Sequence, residues 1–299
     1  MNVLAVSGLR KSYGDFCAVD SLDFTVSAGD IYGFLGPNGA GKSTTLRMLA
    51  GLIHPSSGSI TFFGKDFLNN RMDTMRRVGY IVEKPDFYKY LSAKSNLQLL
   101  LKMNGSCPSA LSIEKVIEMV GLKGRENDPV KTYSHGMKQR LGLAQALIHN
   151  PEVVILDEPT TGLDPQGIID LRNLVLMLKQ EGKTVIMSSH ILSEVELIAT
   201  RMVIISNGKA IVEGAVSELL NADDLIVEFG FSDLQSAKKL IANSSYHPIE
   251  EDVFLNKLIF KLNRKETTEL NNWFCANQVG VESITSRRRL EDYFIKLTQ

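Results

Sequence analysis

The sequence predicts an α/β domain followed by a smaller α+β unit, and three observations carry that prediction. Apolar strands alternate with amphipathic helices over roughly the first 215 residues, the pattern of a parallel sheet. A glycine-rich stretch, "GPNGAGKST", sits between one such strand and one such helix. Around Gly214–Asp224 the alternation gives way to strand, helix, two strands, helix, strand and helix. The expected domains are 1–218 and 219–299.

In chain order, "LAVSGLRKSYG" and "LDFTVSAGD" alternate as short strands punctuated by glycine, and "IYGFLG" is a compact apolar strand. "PNGAGKSTTLRMLAGLI" turns through glycines into a helix with Leu46, Leu49, Ala50 and Ile53 on one face, and "GSITFFGKDF" returns to strand. Residues 92–150 read as helical. "VVIL" is a buried strand, "PQGIIDLRNLVLMLKQEGK" an amphipathic helix ending near Gly182, "TVIMSSH" a strand and "LSEVELIAT" a helix. "MVIISNGKAIVEG" is a hairpin, with Asn207-Gly208 supplying the positive-φ pair of a type I′ turn. The second unit runs strand Leu225–Phe229, helix Asp233–Asn243, strands near Ile249–Phe254 and at Lys257–Leu262, helix Glu266–Gln278, strand Val281–Thr285 and helix Leu290–Leu297. It contains no catalytic motif.

Length and composition set bounds. The 299 residues suffice for one large domain or two, with 44% apolar and 22% charged residues, as in ordinary globular proteins. A net charge of −1 gives no field for nucleic acid, so no nucleic-acid partner is expected. No apolar run reaches the ~20 residues of a membrane span, and the N-terminus lacks the pattern of a secretory signal, so a soluble, cytosolic chain is expected. Cys17, Cys107 and Cys275 are scattered and form no metal-ligand or redox pair by spacing.

The chemistry concentrates at the glycine-rich stretch. Gly36 to Ser43 match G-x-x-x-x-G-K-[ST]. Gly36, Gly39 and Gly41 let the backbone curl and bring N–H groups against phosphate oxygens. Pro37, Asn38 and Ala40 fill the loop between them, and Thr44 follows it. Lys42 is a point charge for the β- and γ-phosphates, Ser43 offers a hydroxyl to Mg²⁺, and the helix beginning near Lys42 aims its positive end at the anion. Downstream, Asp157 emerges from "VVIL" at a sheet edge, placed to hold Mg²⁺, and the adjacent Glu158 could polarise an attacking water. Together these residues bind a nucleoside triphosphate with Mg²⁺. By themselves they do not separate a GTPase, a kinase, a helicase and a transport ATPase.

The next residues narrow the choice. "YSHGMKQRLGLAQALIHNPEVVILDEPTTGLDP" strongly resembles the ATP-binding cassette family, whose signature, usually written L-S-G-G-Q, closely precedes the acidic strand. The resemblance covers roughly residues 1–215 in the correct order. It implies a P-loop NTPase fold, with a RecA-like core, a β-rich arm and an inserted helical subdomain, and two cassettes that sandwich two ATP molecules. Tyr13 then matches the aromatic that stacks on adenine, and Ser134 and Gly136 the residues that meet γ-phosphate across the dimer. Asp164 resembles the inter-subunit aspartate of the following loop, and His190 the switch histidine that contacts γ-phosphate.

Two positions depart from the family pattern. Glu83 stands where glutamine usually serves Mg²⁺ and the water. A glutamate there would coordinate the metal at least as readily while adding charge near γ-phosphate. His135 replaces the first signature glycine, where it either faces the nucleotide or points to solvent or the helical subdomain. Of Phe87, Tyr88 and Tyr90, most are expected in the core, with one or two lining the groove that in family transporters receives a helix of the membrane subunit.

The Glu-x-Pro loop, the altered signature and the appended C-terminal unit are similar to ATPase subunits of bacitracin- and lantibiotic-resistance exporters. That resemblance implies an ATPase working at the inner face of the membrane. Its partners would be a second ATPase chain, forming a homodimer with ATP, and a separate multi-span permease. Two other readings use the same ATP chemistry: a soluble remodelling ATPase acting on ribosomes or DNA, and a regulatory module with slow turnover.

Overall fold

The computed structural model describes residues 1–82, 85–103, 110–219, 225–242 and 244–288. Contacts divide the chain into Met1–Ala215 and Val216–Gln299.

The first unit opens with two long antiparallel strands, β1 (Asn2–Tyr13) and β2 (Phe16–Ser27), where short strands were expected. Register shifts along their pairing accommodate the glycine and the polar residues that suggested breaks. With β4 (Ser57–Phe62) and β5 (Lys65–Asp66) they form a four-stranded sheet in the order β2-β1-β4-β5. Between them in sequence lie β3 (Ile31–Leu35) and helix α1 (Lys42–Leu49). A short helix α2 (Arg71–Met75) leads into β6 (Val78–Ile81).

The stretch expected to be helical resolves into α3 (Ala93–Met103), α4 (Ala110–Met119), turns, a 3₁₀ segment at Val130–Thr132 and α5 (His135–Leu147). Strand β7 (Val153–Leu156), helix α6 (Pro165–Gln180), β8 (Thr184–Ser189) and a short α7 (Leu192–Glu196) follow as anticipated. Hairpin β9 (Arg201–Ser206) and β10 (Lys209–Ala215) turns through Asn207 and Gly208, whose φ values of 49° and 77° suit a type I′ turn.

The second sheet runs β10-β9-β3-β8-β7-β6, parallel except for β10. Strands β3, β7 and β8 are buried along their whole length, as a parallel sheet covered on both faces requires. Successive side chains serve two different cores. Val154, Leu156, Val185 and Met187 face a cluster built with α3 to α6. Val153, Ile155, Ile186 and Phe34 face a cluster shared with β1, β2, β4 and α1. The period of two along each strand therefore keeps the helical side and the β-rich side apart. Against β6, a Cβ on Gly79 would run into the carbonyl of Ala146, so glycine is what lets α5 lie this close to the sheet. Among the described residues, no helix is long and apolar enough to cross a membrane.

The second unit begins with α8 (Val216–Leu219) and β11 (Leu225–Phe231). It continues through α9 (Leu234–Ile241), β12 (Glu250–Asp252), β13 (Lys257–Leu262), α10 (Arg264–Ala276) and β14 (Val281–Arg288). From β11 to β14 the strand and helix order is the expected one; α8 before it was not anticipated. The sheet is antiparallel, in the order β12-β13-β11-β14. In its core Phe229 and Phe231 are stacked, and Phe260 and Phe274 meet them edge-to-face or tilted. Asp233 caps α9, and Asn263 with Glu266 forms a full capping box on α10. Strand β14 outruns its expected end because it pairs along all of β11. The helix expected at Leu290–Leu297 lies outside the described residues.

Candidate nucleotide site

The parallel strands end together, and their ends bring the phosphate motif and the acidic residues to one edge. Leu35 of β3 pairs with Ser189 of β8, and Leu156 of β7 pairs with Met187. The loop after β3 is the glycine-rich stretch, the residues after β7 are Asp157 and Glu158, and the residue after β8 is His190. This is the carboxyl edge at which α/β sheets bind ligands.

In the loop, Gly39 and Gly41 take φ of 83° and 103°, which only glycine adopts without strain. Space stands open around Gly39, where a Cβ would meet nothing within 4 Å. Pro37 and Ala40 close the curl through an Ala40 N–H to Pro37 carbonyl bond of 3.2 Å. Asn38 is exposed on the loop's outer face, and Ser43 and Thr44 sit half-buried in the first turn of α1. The loop is braced from behind. Gly208 N–H donates to the carbonyl of Ala40 at 3.0 Å, and the carbonyl of Gly208 accepts from Asp20 N–H at 2.9 Å. The turn of the β9–β10 hairpin is thus a support for the phosphate loop.

Lys42, only 5% exposed, turns its ammonium back onto its own loop, donating to the carbonyls of Gly36 at 2.7 Å and Pro37 at 3.1 Å. It also stands 3.3 Å from Glu158 Oε1. Glu158 has φ of 45°, an uncommon conformation for glutamate, and its Oε2 lies 2.8 Å from His190 Nδ1. Glu158 Oε1 is buried without a hydrogen-bond partner, so the ion pair with Lys42 is what compensates it. Ser188 holds this arrangement together: its hydroxyl donates to Asp157 Oδ1 at 2.6 Å and accepts the Glu158 N–H at 2.8 Å. Ser188 belongs to none of the motifs above; its one signal in the sequence is the serine pair in "VIMSSH".

These residues fit a magnesium–triphosphate. Space is open around Gly39, the buried Lys42 ammonium lies on the loop with Glu158 Oε1 beside it, and Ser43 stands in the first turn of the following helix. No cluster of three or more metal-ligating His, Cys, Asp or Glu side chains occurs among the described residues. Mg²⁺ needs none, since it takes one or two carboxylates, phosphates and water. Glu83 lies outside the described residues.

Tyr13 closes β1 with its ring half-exposed and Lys11 Nζ 5.1 Å from the ring centroid. Ser134 and Gly136 lie at the start of α5, and Asp164 at the start of α6. Ser134 is the N-cap of α5, its hydroxyl accepting from Met137 N–H at 3.2 Å. Asp164 is the N-cap of α6, accepting from Gly167 N–H at 2.9 Å. Both lie exposed, and neither has a described contact with Lys42, Glu158 or His190. Of the three aromatics, Phe87 is buried, but Tyr88 and Tyr90 are 64% and 84% exposed. The expectation that most of them lie in the core is thereby corrected. Asn96 fixes the Tyr88 backbone through two bonds, at 2.9 and 3.1 Å, and the Tyr90 ring lies 5.2 Å from Lys131 Nζ.

The chain has relatives among known proteins. The model of the family described as ABC transporter matches residues 19–161. The chain is similar to the bacitracin transport ATP-binding protein BcrA of Bacillus licheniformis, 42% identical over 298 residues, covering 99% of this chain and 97% of that one. It is also similar to the lantibiotic transport ATP-binding protein SrtF of Streptococcus pyogenes, 43% identical over 223 residues, 75% of this chain and 95% of the other. Among solved structures, the ADP conformation of the ATP-binding cassette MJ1267 superposes with a TM-score of 0.67 at 25% identity. That match covers 74% of this chain and 95% of the cassette.

Proposed function

The chain belongs to the ABC transporter family, as an ATP-binding subunit that hydrolyses ATP, and from that premise we propose that it powers export of a peptide antibiotic through a separate multi-span permease. The similarity to a bacitracin transport subunit runs through both units of the chain, which supports the cargo class. The observation that carries the chemistry is Glu158, clamped between Lys42 and His190 at the mouth of the phosphate loop.

The loop amides and Lys42 bind the β- and γ-phosphates, and Tyr13 stacks on adenine. Ser43 and Asp157, with Glu83 by its place in the sequence, are the residues that would hold Mg²⁺, which when bound would neutralise phosphate charge. On nucleotide entry the Lys42 ammonium leaves Glu158 for phosphate, and the freed carboxylate orients and deprotonates the attacking water. His190 keeps Glu158 in place and contacts γ-phosphate. Ser134, Gly136 and Asp164 complete the site of a second copy, so ATP draws two chains into a homodimer and product release parts them. The exposed Tyr88 and Tyr90 line the groove for the permease, which holds the chain at the inner face of the membrane.

Purification of the full chain from membranes should bring with it a multi-span protein, and the reconstituted pair should hydrolyse Mg-ATP faster when a bacitracin-like or lantibiotic peptide is added. Recovery with ribosomes or DNA, and no membrane partner, would overturn the reading.

A further inference from the structure

A histidine separates Ser134 from Gly136, and its ring has a defined place. We propose that His135 is a positioning residue. Its exposed imidazole, lying against Gly162, fixes the spacing between the signature turn and the loop bearing Asp164, so that both reach the partner chain's nucleotide as one unit. This rests on the reading of Ser134, Gly136 and Asp164 as partner-facing residues.

Four levels of α5 meet the 159–170 segment. At the first, a Cβ built on Gly162 would lie 2.8 Å from His135 Nε2 and 2.9 Å from Cδ2, closer than real Cβ atoms come. Gly162 also has φ of 78°, so the backbone itself favours glycine there, and an added Cβ would push the His135 ring aside. At the second, Gly136 faces Leu163 Cδ2, 3.7 Å from where its own Cβ would be. At the third, Gln139 Nε2 donates to the carbonyl of Pro159 at 3.3 Å. At the fourth, Arg140 pairs with Asp170 at 2.7 Å.

The far end of the loop is fixed as well, since Asp164 caps α6. The loop is therefore held at Pro159 and at Asp164, and the imidazole is the spacer at its middle. A glycine at position 135 would leave the face of Gly162 open, and the loop could move toward the signature turn. Catalysis across a dimer is sensitive to such displacement, because misplacing a group by about 1 Å can cost up to ~100-fold in rate.

The experiment is a double-mutant cycle on the full chain with its membrane partner, using His135→Gly, Gly162→Ala and the pair. His135→Gly should leave ATP-analogue binding by the single chain unchanged, lower kcat roughly tenfold and raise the ATP concentration that half-saturates dimerisation. Gly162→Ala should lower kcat further beside His135 than in the His135→Gly background, because the ring it collides with is then gone. His135→Gln, which keeps a planar group of similar reach, should recover most of the loss. Independent effects in the cycle, or a His135→Gly kcat equal to the parent's, would overturn the proposal. Failure of Glu158→Gln to trap an ATP-bound dimer would instead overturn the partner-facing reading beneath it.

Discussion

Around the phosphate loop, Lys42, Asp157, Glu158 and His190 satisfy one another across three strand ends, with Ser188 at the join. Around the signature turn, Ser134 and Asp164 satisfy only the first turns of their own helices. The first set is electrostatically closed within one chain and must be opened by its ligand. The second is already relaxed and has polar groups to spare for something outside the chain. On the proposed reading, the contrast is between a half that exchanges internal partners for phosphate and a half that accepts a neighbour.

Three substitutions break or sharpen that contrast. The largest effect belongs to Lys42→Ala, which removes the buried cation from the closed half. We expect kcat to fall by at least ~100-fold, the scale for losing one preorganised charge donor, with weaker binding of a fluorescent ATP analogue. An unchanged affinity would show that the loop amides alone hold the phosphates. Ser188→Ala comes next. It strips Asp157 Oδ1 and the Glu158 N–H of a shared partner, a loss of about 1–3 kcal/mol for partly buried groups, visible as a lower Tm and a kcat reduced roughly tenfold or more. The smallest effect on the single chain is that of Ser134→Ala, about 1 kcal/mol of helix capping, with ATP-analogue binding intact. Its larger consequence should appear only in pairs: mixing Lys42→Ala chains with Ser134→Ala chains builds one composite site from two intact halves and should restore part of the hydrolysis that neither variant has alone.

The closed half was legible in the sequence where its residues are consecutive. The phosphate loop, Asp157 and Glu158 lie in short runs whose flanking strands and helix follow from periodicity. Ser188 and Gly208 were not legible, since they reach the site only across the sheet and through a hairpin turn. Position 135 announced itself as a departure from a family pattern, but its contact with Gly162 depends on two loops meeting in space. Which of Phe87, Tyr88 and Tyr90 would be exposed was not legible, because apolar character alone does not tell an inward ring from an outward one. The second unit gave its element order through binary patterning, while the length of β14 was set by a pairing that no local pattern records.

The partition of side chains along β7 has a practical consequence. Val154 and Ile155 are neighbours in sequence, yet one touches the helical core and the other the β-rich core. Methyl resonances from these two residues are a pair of adjacent probes tuned to opposite sides of the sheet. A shift of the helices during the ATP cycle should register at Val154 and leave Ile155 quiet, and a movement of the β-rich side should do the reverse.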